Sequence, residues 1–101
     1  DPTYVPLPKY PAVSRDLAVV CDEEVTVAQA ETVISQAAGK LLRDVKLFDI
    51  YRGVGVPAGK KSMAFSLELR ADDRTLTDAD SENVTQKVLA ALAEQLNASL
   101  R

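Results

Sequence analysis

The chain has 101 residues, 47% of them apolar, with 12 basic and 15 acidic side chains, one cysteine and no histidine. That length supports one hydrophobic core and no second one, and the missing histidine removes the usual triads and the histidine-containing zinc sites. The lone Cys21 excludes an intramolecular disulfide, and a net charge of −3 gives no general affinity for nucleic acid.

No basic-then-apolar leader and no apolar stretch near the roughly 20 residues of a bilayer span is present, so the expectation is a soluble piece, excised from a longer protein. Residues 1–13, DPTYVPLPKYPAV, hold four of the five prolines and read as an extended arm or linker, with the folded domain at 14–101. SRDLAVVCD then reads as a strand, with Leu17, Val19 and Cys21 alternating against Asp16, Ala18 and Val20. Cys21 closes an apolar run and is expected to be a buried, unreactive thiol, since the neighbouring acids Asp22, Glu23 and Glu24 would raise its pKa.

At TVAQAETVISQAAGK the period changes. Thr26 and Gln29 form a capping-box pair, Val27, Ala30, Val33, Ile34, Ala37 and Ala38 recur at helical spacing, and Gly39 is placed to end the helix in a left-handed conformation. LLRDVKLFDIYR returns to strand composition, and the glycine-rich GVGVPAGKK joins it as a loop to SMAFSLELR. In that last stretch Met63, Phe65, Leu67 and Leu69 alternate with Ser62, Ala64, Ser66, Glu68 and Arg70. A second helix follows Thr77, with Asp78, Asp80 and Glu82 in its first turn and Val84, Val88, Leu89, Leu92 and Leu96 along one stripe. NASLR can add one short strand.

The order strand, helix, strand, strand, helix, strand predicts an α+β ferredoxin-like (βαββαβ) antiparallel sheet with two helices on one face. The other face is open. For residues 45–51 the apolar side chains compete: placing the larger pair Phe48 and Ile50 inward sends Val45, Leu47, Asp49 and Tyr51 to the open face.

A tyrosine, an acid and small neighbours on an open sheet suit an unpaired base. The ring of Tyr51 offers a stacking surface and Asp49 accepts hydrogen bonds from the imino and amino donors of guanine, while Ala18 and Ser62 allow close approach. Between Gly39 and Lys61 six basic residues face two acids, so Lys40, Arg43, Lys46, Arg52, Lys60 and Lys61 form a segment able to steer phosphates. GVGVPAG lacks the spacing and the following helix of a phosphate-cradling loop, and the acids at 72–82 do not follow the calcium-loop order.

Four stretches in order, KYPAVSRDLA (9–18), LFDIYRG (47–53), GKKSMAFSL (59–67) and RTLTD (74–78), with a final LR, give the chain a resemblance over about residues 6–101. It resembles the ferredoxin-fold anticodon-binding domain found at the C-terminus of the bacterial phenylalanyl-tRNA synthetase beta subunit. The resemblance implies a noncatalytic, cytoplasmic, tRNA-binding module without a cofactor of its own. It implies a parent α2β2 ligase that uses ATP and magnesium at a catalytic site on the alpha subunit. Asp49 and Tyr51 would meet the first anticodon base, a guanosine; Ala18 and Ser62 would line that site, and Arg15 would serve in structural pairing. Lys60, Lys61 and Arg52 complete the expected RNA-binding set. Two other readings of the same topology are an assembly module whose open sheet packs on another domain through Val45, Leu47 and Tyr51, and an amino-acid-binding regulatory domain. The latter calls for a glycine in the turn after the first strand, where CDEEVT has none.

Overall fold

The computed structural model describes residues 9–101. The extended arm expected over 1–13 falls largely outside the described residues; within 9–12 there is no helix or strand. The elements are β1 (Val13–Asp22), α1 (Val27–Ala38), β2 (Leu42–Tyr51), β3 (Lys60–Leu69), α2 (Asp78–Leu96) and β4 (Ser99–Leu100), with a short 3-10 turn at Gly39–Leu41 leading into β2. All strand pairs are antiparallel, in the spatial order β2-β3-β1-β4. This is the expected α+β ferredoxin-like arrangement.

Each helix begins where the capping chemistry predicts. Thr26 and Gln29 exchange side-chain to backbone hydrogen bonds of 2.9 and 3.1 Å, and Thr77 and Asp80 do the same at 2.9 and 3.1 Å. Each such box satisfies otherwise unpaired amide groups of the first turn and contributes about 1 kcal/mol. Gly39 ends α1 at φ 69° and ψ −143°, which only glycine adopts readily but which lies outside the left-handed helical well expected for it. The left-handed residue is instead Asn97 after α2 (φ 53°, ψ 32°), where the amide of Ala98 donates to the Leu92 carbonyl and turns the chain toward β4.

The core lies between the sheet and the helices. Leu17, Val19 and Cys21 from β1 and Met63, Phe65, Leu67 and Leu69 from β3 meet Ala30, Val33, Ile34 and Ala38 of α1 and Val84, Val88 and Leu92 of α2. The two central strands therefore follow their alternation without fault. Burial pushes the Cys21 thiol up, with the Lys61 charge opposing, as suits an inert packed cysteine.

Strand β2 departs from the expected phase. Val45 pairs with Leu67 and Leu47 with Phe65, so both lie on the helix side and pack against the core, not on the open face. Phe48, expected inside, is 58% exposed, whereas Ile50 pairs with Met63 on the helix side as expected and is 37% exposed at the sheet edge. The cause is a β-bulge: the register shifts between Leu47 and Asp49, leaving Phe48 without a cross-strand partner. After the bulge Asp49 pairs with Ala64, Ile50 with Met63 and Tyr51 with Ser62. Asp49 and Tyr51 thus reach the open face after all, because one extra residue reverses the phase that Val45 and Leu47 set.

Candidate functional site

Register assembles the site on two neighbouring rungs of the sheet. One rung runs Tyr51, Ser62, Val20, Ser99 across all four strands; the next runs Asp49, Ala64, Ala18 across three. Residues directly opposite each other have Cβ atoms about 4.5–5.5 Å apart. The expected residues Asp49, Tyr51, Ala18 and Ser62 are therefore brought together, with Ala64 between Asp49 and Ala18. Small side chains fill the middle of the patch, and the ring and the carboxylate stand at its β2 side.

Tyr51 is held at both ends. Its hydroxyl donates to the Val54 carbonyl at 2.9 Å, and the guanidinium carbon of Arg101 lies 4.5 Å from the ring centroid. Such a cation over an exposed ring stabilises by about 0.5–1 kcal/mol. Arg101 gets there because its amide donates to the Ala18 carbonyl at 3.0 Å, which anchors its backbone beside β1 while its side chain reaches toward the β2 side of the open face. Ser62 is only 2% exposed although it lies on the uncovered side, so side chains of that face themselves close over it. Gly53 matters here: its φ is 133°, and a Cβ built on it would stand 3.3 Å from the Tyr51 hydroxyl oxygen. The glycine that follows the tyrosine by two residues is thus the floor against which the ring's end rests.

The three basic residues expected at the site go to different places. Arg52 donates from Nε to both carboxylate oxygens of Glu23 at 2.9 Å, and its Nη2 pairs with the same group. That hydrogen bonding holds Glu23 below the usual carboxylate range and raises Arg52. Lys60 stands on the open face one rung beyond Ser62, 2.8 Å from Asp22. Lys61 pairs with Cys21, on the helix side, and is 7% exposed, with its stem buried. Lys61 is therefore turned away from the patch. Arg15 donates to Ser81 Oγ at 2.7 and 3.0 Å and ties β1 to the start of α2, the structural pairing expected of it.

Charge divides the open face lengthwise. Toward the Tyr51 end Lys60 and Arg101 are balanced by Asp22 and Asp49; toward the other end Asp16, Asp44 and Glu68 outnumber Lys46, which lies 3.8 Å from Asp44. A polyanion is repelled by the second half and not by the first. A surface depression of about 650 Å³ lies at that second end between Val13, Ser14, Arg15, Asp78, Ala79 and Glu82, away from the patch. Among the described residues no group of three or more acidic or cysteine side chains is disposed to hold a metal ion. No helix among them is long and apolar enough to cross a membrane.

Two contributors were invisible in the residue pattern. Arg101 depends on the pairing of β4 with β1, a strand of two residues that carries almost no alternation signal. Gly53 reads as a loop glycine; only its closeness to the tyrosine two residues earlier could have marked it.

The fold and the patch define a class of protein: an open-sheet α+β module whose uncovered strand face carries a ring, a carboxylate and small side chains. Residues 8–101 match the model of the ferredoxin-fold anticodon binding domain, and the chain belongs to that family. It is 49% identical over 98 residues to the phenylalanine–tRNA ligase beta subunit of Clostridium tetani, covering 97% of this chain and 12% of that protein. The corresponding beta subunits of Moorella thermoacetica and Synechocystis sp. are each 50% identical over 100 residues, covering 99% of this chain and 12% of theirs. The chain thus spans about an eighth of the length of the relatives it matches.

Proposed function

We propose that this chain is the noncatalytic anticodon-binding module of a phenylalanine–tRNA ligase beta subunit, and that the Tyr51 rung of its open sheet takes the first anticodon base. In this reading the base stacks on the Tyr51 ring, and the Asp49 carboxylate accepts hydrogen bonds from the imino and amino groups that guanine alone presents together on its Watson–Crick edge. Ala18, Ala64 and Ser62 leave room for the base to lie close to the strands. Arg101 occupies the ring face in the free protein, so the base either displaces the guanidinium or inserts beneath it; Arg101 then caps the base or meets its phosphate. Lys60 steers phosphates from the same end. The parent enzyme would be the α2β2 ligase, with ATP and magnesium at the alpha subunit, tRNA as macromolecular substrate, and the rest of the beta subunit as covalent neighbour.

One observation carries this reading: the register places Asp49, Tyr51, Ala18 and Ser62 on two adjacent rungs of the uncovered face. The assembly reading through the open sheet needed Val45 and Leu47 there, and both lie on the helix side. The test is a titration of the chain with a phenylalanine-specific anticodon stem-loop while backbone amide shifts are followed. Shifts concentrated at 18, 49, 51, 62 and 101 are expected. Shifts confined to the helices would overturn the proposal.

A further inference from the structure

Phe48 has no part in the core. It is 58% exposed and lies outside the core cluster, whereas the other phenylalanine, Phe65, is fully buried. The bulge it occupies lets Leu47 and Asp49 take opposite faces although they are two residues apart. Leu47 faces the helices beside Phe65 and Asp49 faces out beside Ala64; with Phe48 removed, the two would alternate as ordinary neighbours. The residue that this phase reversal leaves unpaired is an aromatic one, and the bulge presents its ring. It presents it at an edge, because among the described residues β2 pairs with β3 alone. Bulges of this kind re-aim side chains next to binding sites.

The neighbours of Phe48 indicate what it is presented to. It adjoins Asp49 and precedes Tyr51 by three residues, about 10 Å at ~3.3 Å per residue along a strand, a distance that adjacent nucleotides of a single strand can bridge. On the same strand Lys46, two residues beyond Phe48 on the side away from Tyr51 and with a side chain 76% exposed, offers a charge to the phosphate on the far side of a base stacked on Phe48. Four-stranded sheets that read single-stranded RNA hold two or three successive bases on successive aromatic rings. We infer that Phe48 is a second stacking platform, taking the base that follows the one on Tyr51. This rests on the reading of the Tyr51 rung given above. A protein surface covering Phe48, Ile50 and Val54 is the competing occupant.

The experiment uses the anticodon stem-loop with its second anticodon base, an adenine, replaced by 2-aminopurine, titrated with the chain and its variants. The unmodified chain quenches the fluorescence; Phe48→Leu loses most of the quench and binds about 5- to 150-fold more weakly, the loss of one base–aromatic stack. Phe48→Tyr keeps the quench, and the amide shifts of Asp49 and Tyr51 persist in all three proteins. An unchanged quench in Phe48→Leu overturns the inference, and so does an equal loss in Phe48→Tyr. Shifts at Asp49 and Tyr51 with no quench in the unmodified chain overturn it while leaving the first-base reading standing; neither shifts nor quench overturns both. RNA binding untouched in Phe48→Leu, with weakened association to the remainder of the beta subunit, assigns the ring to a protein partner and overturns it as well.

Discussion

Replacing Gly53 by alanine tests how the stacking ring is held. The substitution acts twice. It places a Cβ in a backbone conformation with φ 133°, and it brings that Cβ to 3.3 Å from the Tyr51 hydroxyl oxygen. Holding a non-glycine residue in such a conformation costs about 1–3 kcal/mol. For a domain of this size each kcal/mol lowers the melting temperature by about 4–8 °C, so the expected drop is on the order of 5–20 °C. Stability for domains of this kind is about 5–15 kcal/mol, so the variant remains folded at 25 °C and its RNA binding can be measured. The ring must move by a few tenths of an ångström or the loop must open, breaking the hydrogen bond to the Val54 carbonyl. Part of a base–aromatic stack worth about 1–3 kcal/mol is then lost, and the stem-loop Kd rises by about three- to tenfold. Tyr51→Phe is the control: it deletes the same hydrogen bond, costs about 0.5–1.5 kcal/mol of stability, and leaves the ring where it is. Its Kd stays within about twofold. Thermal melting and titration calorimetry on the three proteins decide the matter. A Gly53→Ala protein that melts within about 2 °C of the parent, or a Tyr51→Phe protein that binds as weakly as Gly53→Ala, refutes the floor assigned to Gly53.

Tyr51→Ala removes the ring itself and is expected to weaken stem-loop binding by about 1–3 kcal/mol; unchanged aminoacylation kinetics in a full-length ligase carrying it would contradict the stack. Lys60→Ala lowers affinity mainly at low salt and flattens the dependence of log Kd on log salt, whereas Lys61→Ala, with its stem buried on the helix side, leaves that slope unchanged. A flattened slope in Lys61→Ala counts against the placement of the two lysines. The Glu23 carboxyl sits below its ordinary value of 4.5 because Arg52 hydrogen-bonds to it. A carboxyl depressed in the folded state contributes stability that is present above its unfolded pKa and lost as pH falls through the folded one. Glu23→Gln is therefore expected to shrink the gap to the parent protein below about pH 4.5 and to leave it constant from there to neutrality; denaturant melts from pH 3 to 7 check this.

Where alternation or capping alone decided an element, the residues were legible. Met63, Phe65, Leu67 and Leu69 could face only the core, and Thr26 with Gln29 and Thr77 before three acids marked helix starts to the residue. Strand β2 was legible as a strand and illegible in phase, because a bulge is a backbone event: LFDIYR contains no glycine or proline to announce it. Phe48 and Ile50 have the composition of core residues and lie where the helix layer does not cover them. Asp49 and Tyr51 were placed on the correct face from an inward set that proved wrong for Val45 and Leu47. The cations show the other boundary. Lys60 and Lys61 are adjacent in sequence, so strand geometry sends them to opposite faces, and the charge segment 40–61 counts them together although only one reaches the patch. Arg101 needed the pairing of a two-residue strand, which no local pattern specifies.

That two-residue strand has a kinetic consequence. Ser99 and Leu100 pair with Val20 and Val19 only, and the hydrogen bond that the Arg101 amide donates to the Ala18 carbonyl is the last tie on that side. Segments with so few contacts open with free energies far below that of global unfolding. Fraying of this least secured corner of the sheet would carry the guanidinium off the ring while the core between β3 and the helices stays closed. Amide exchange at 99–101 would run fast against a slow background from 63 to 69.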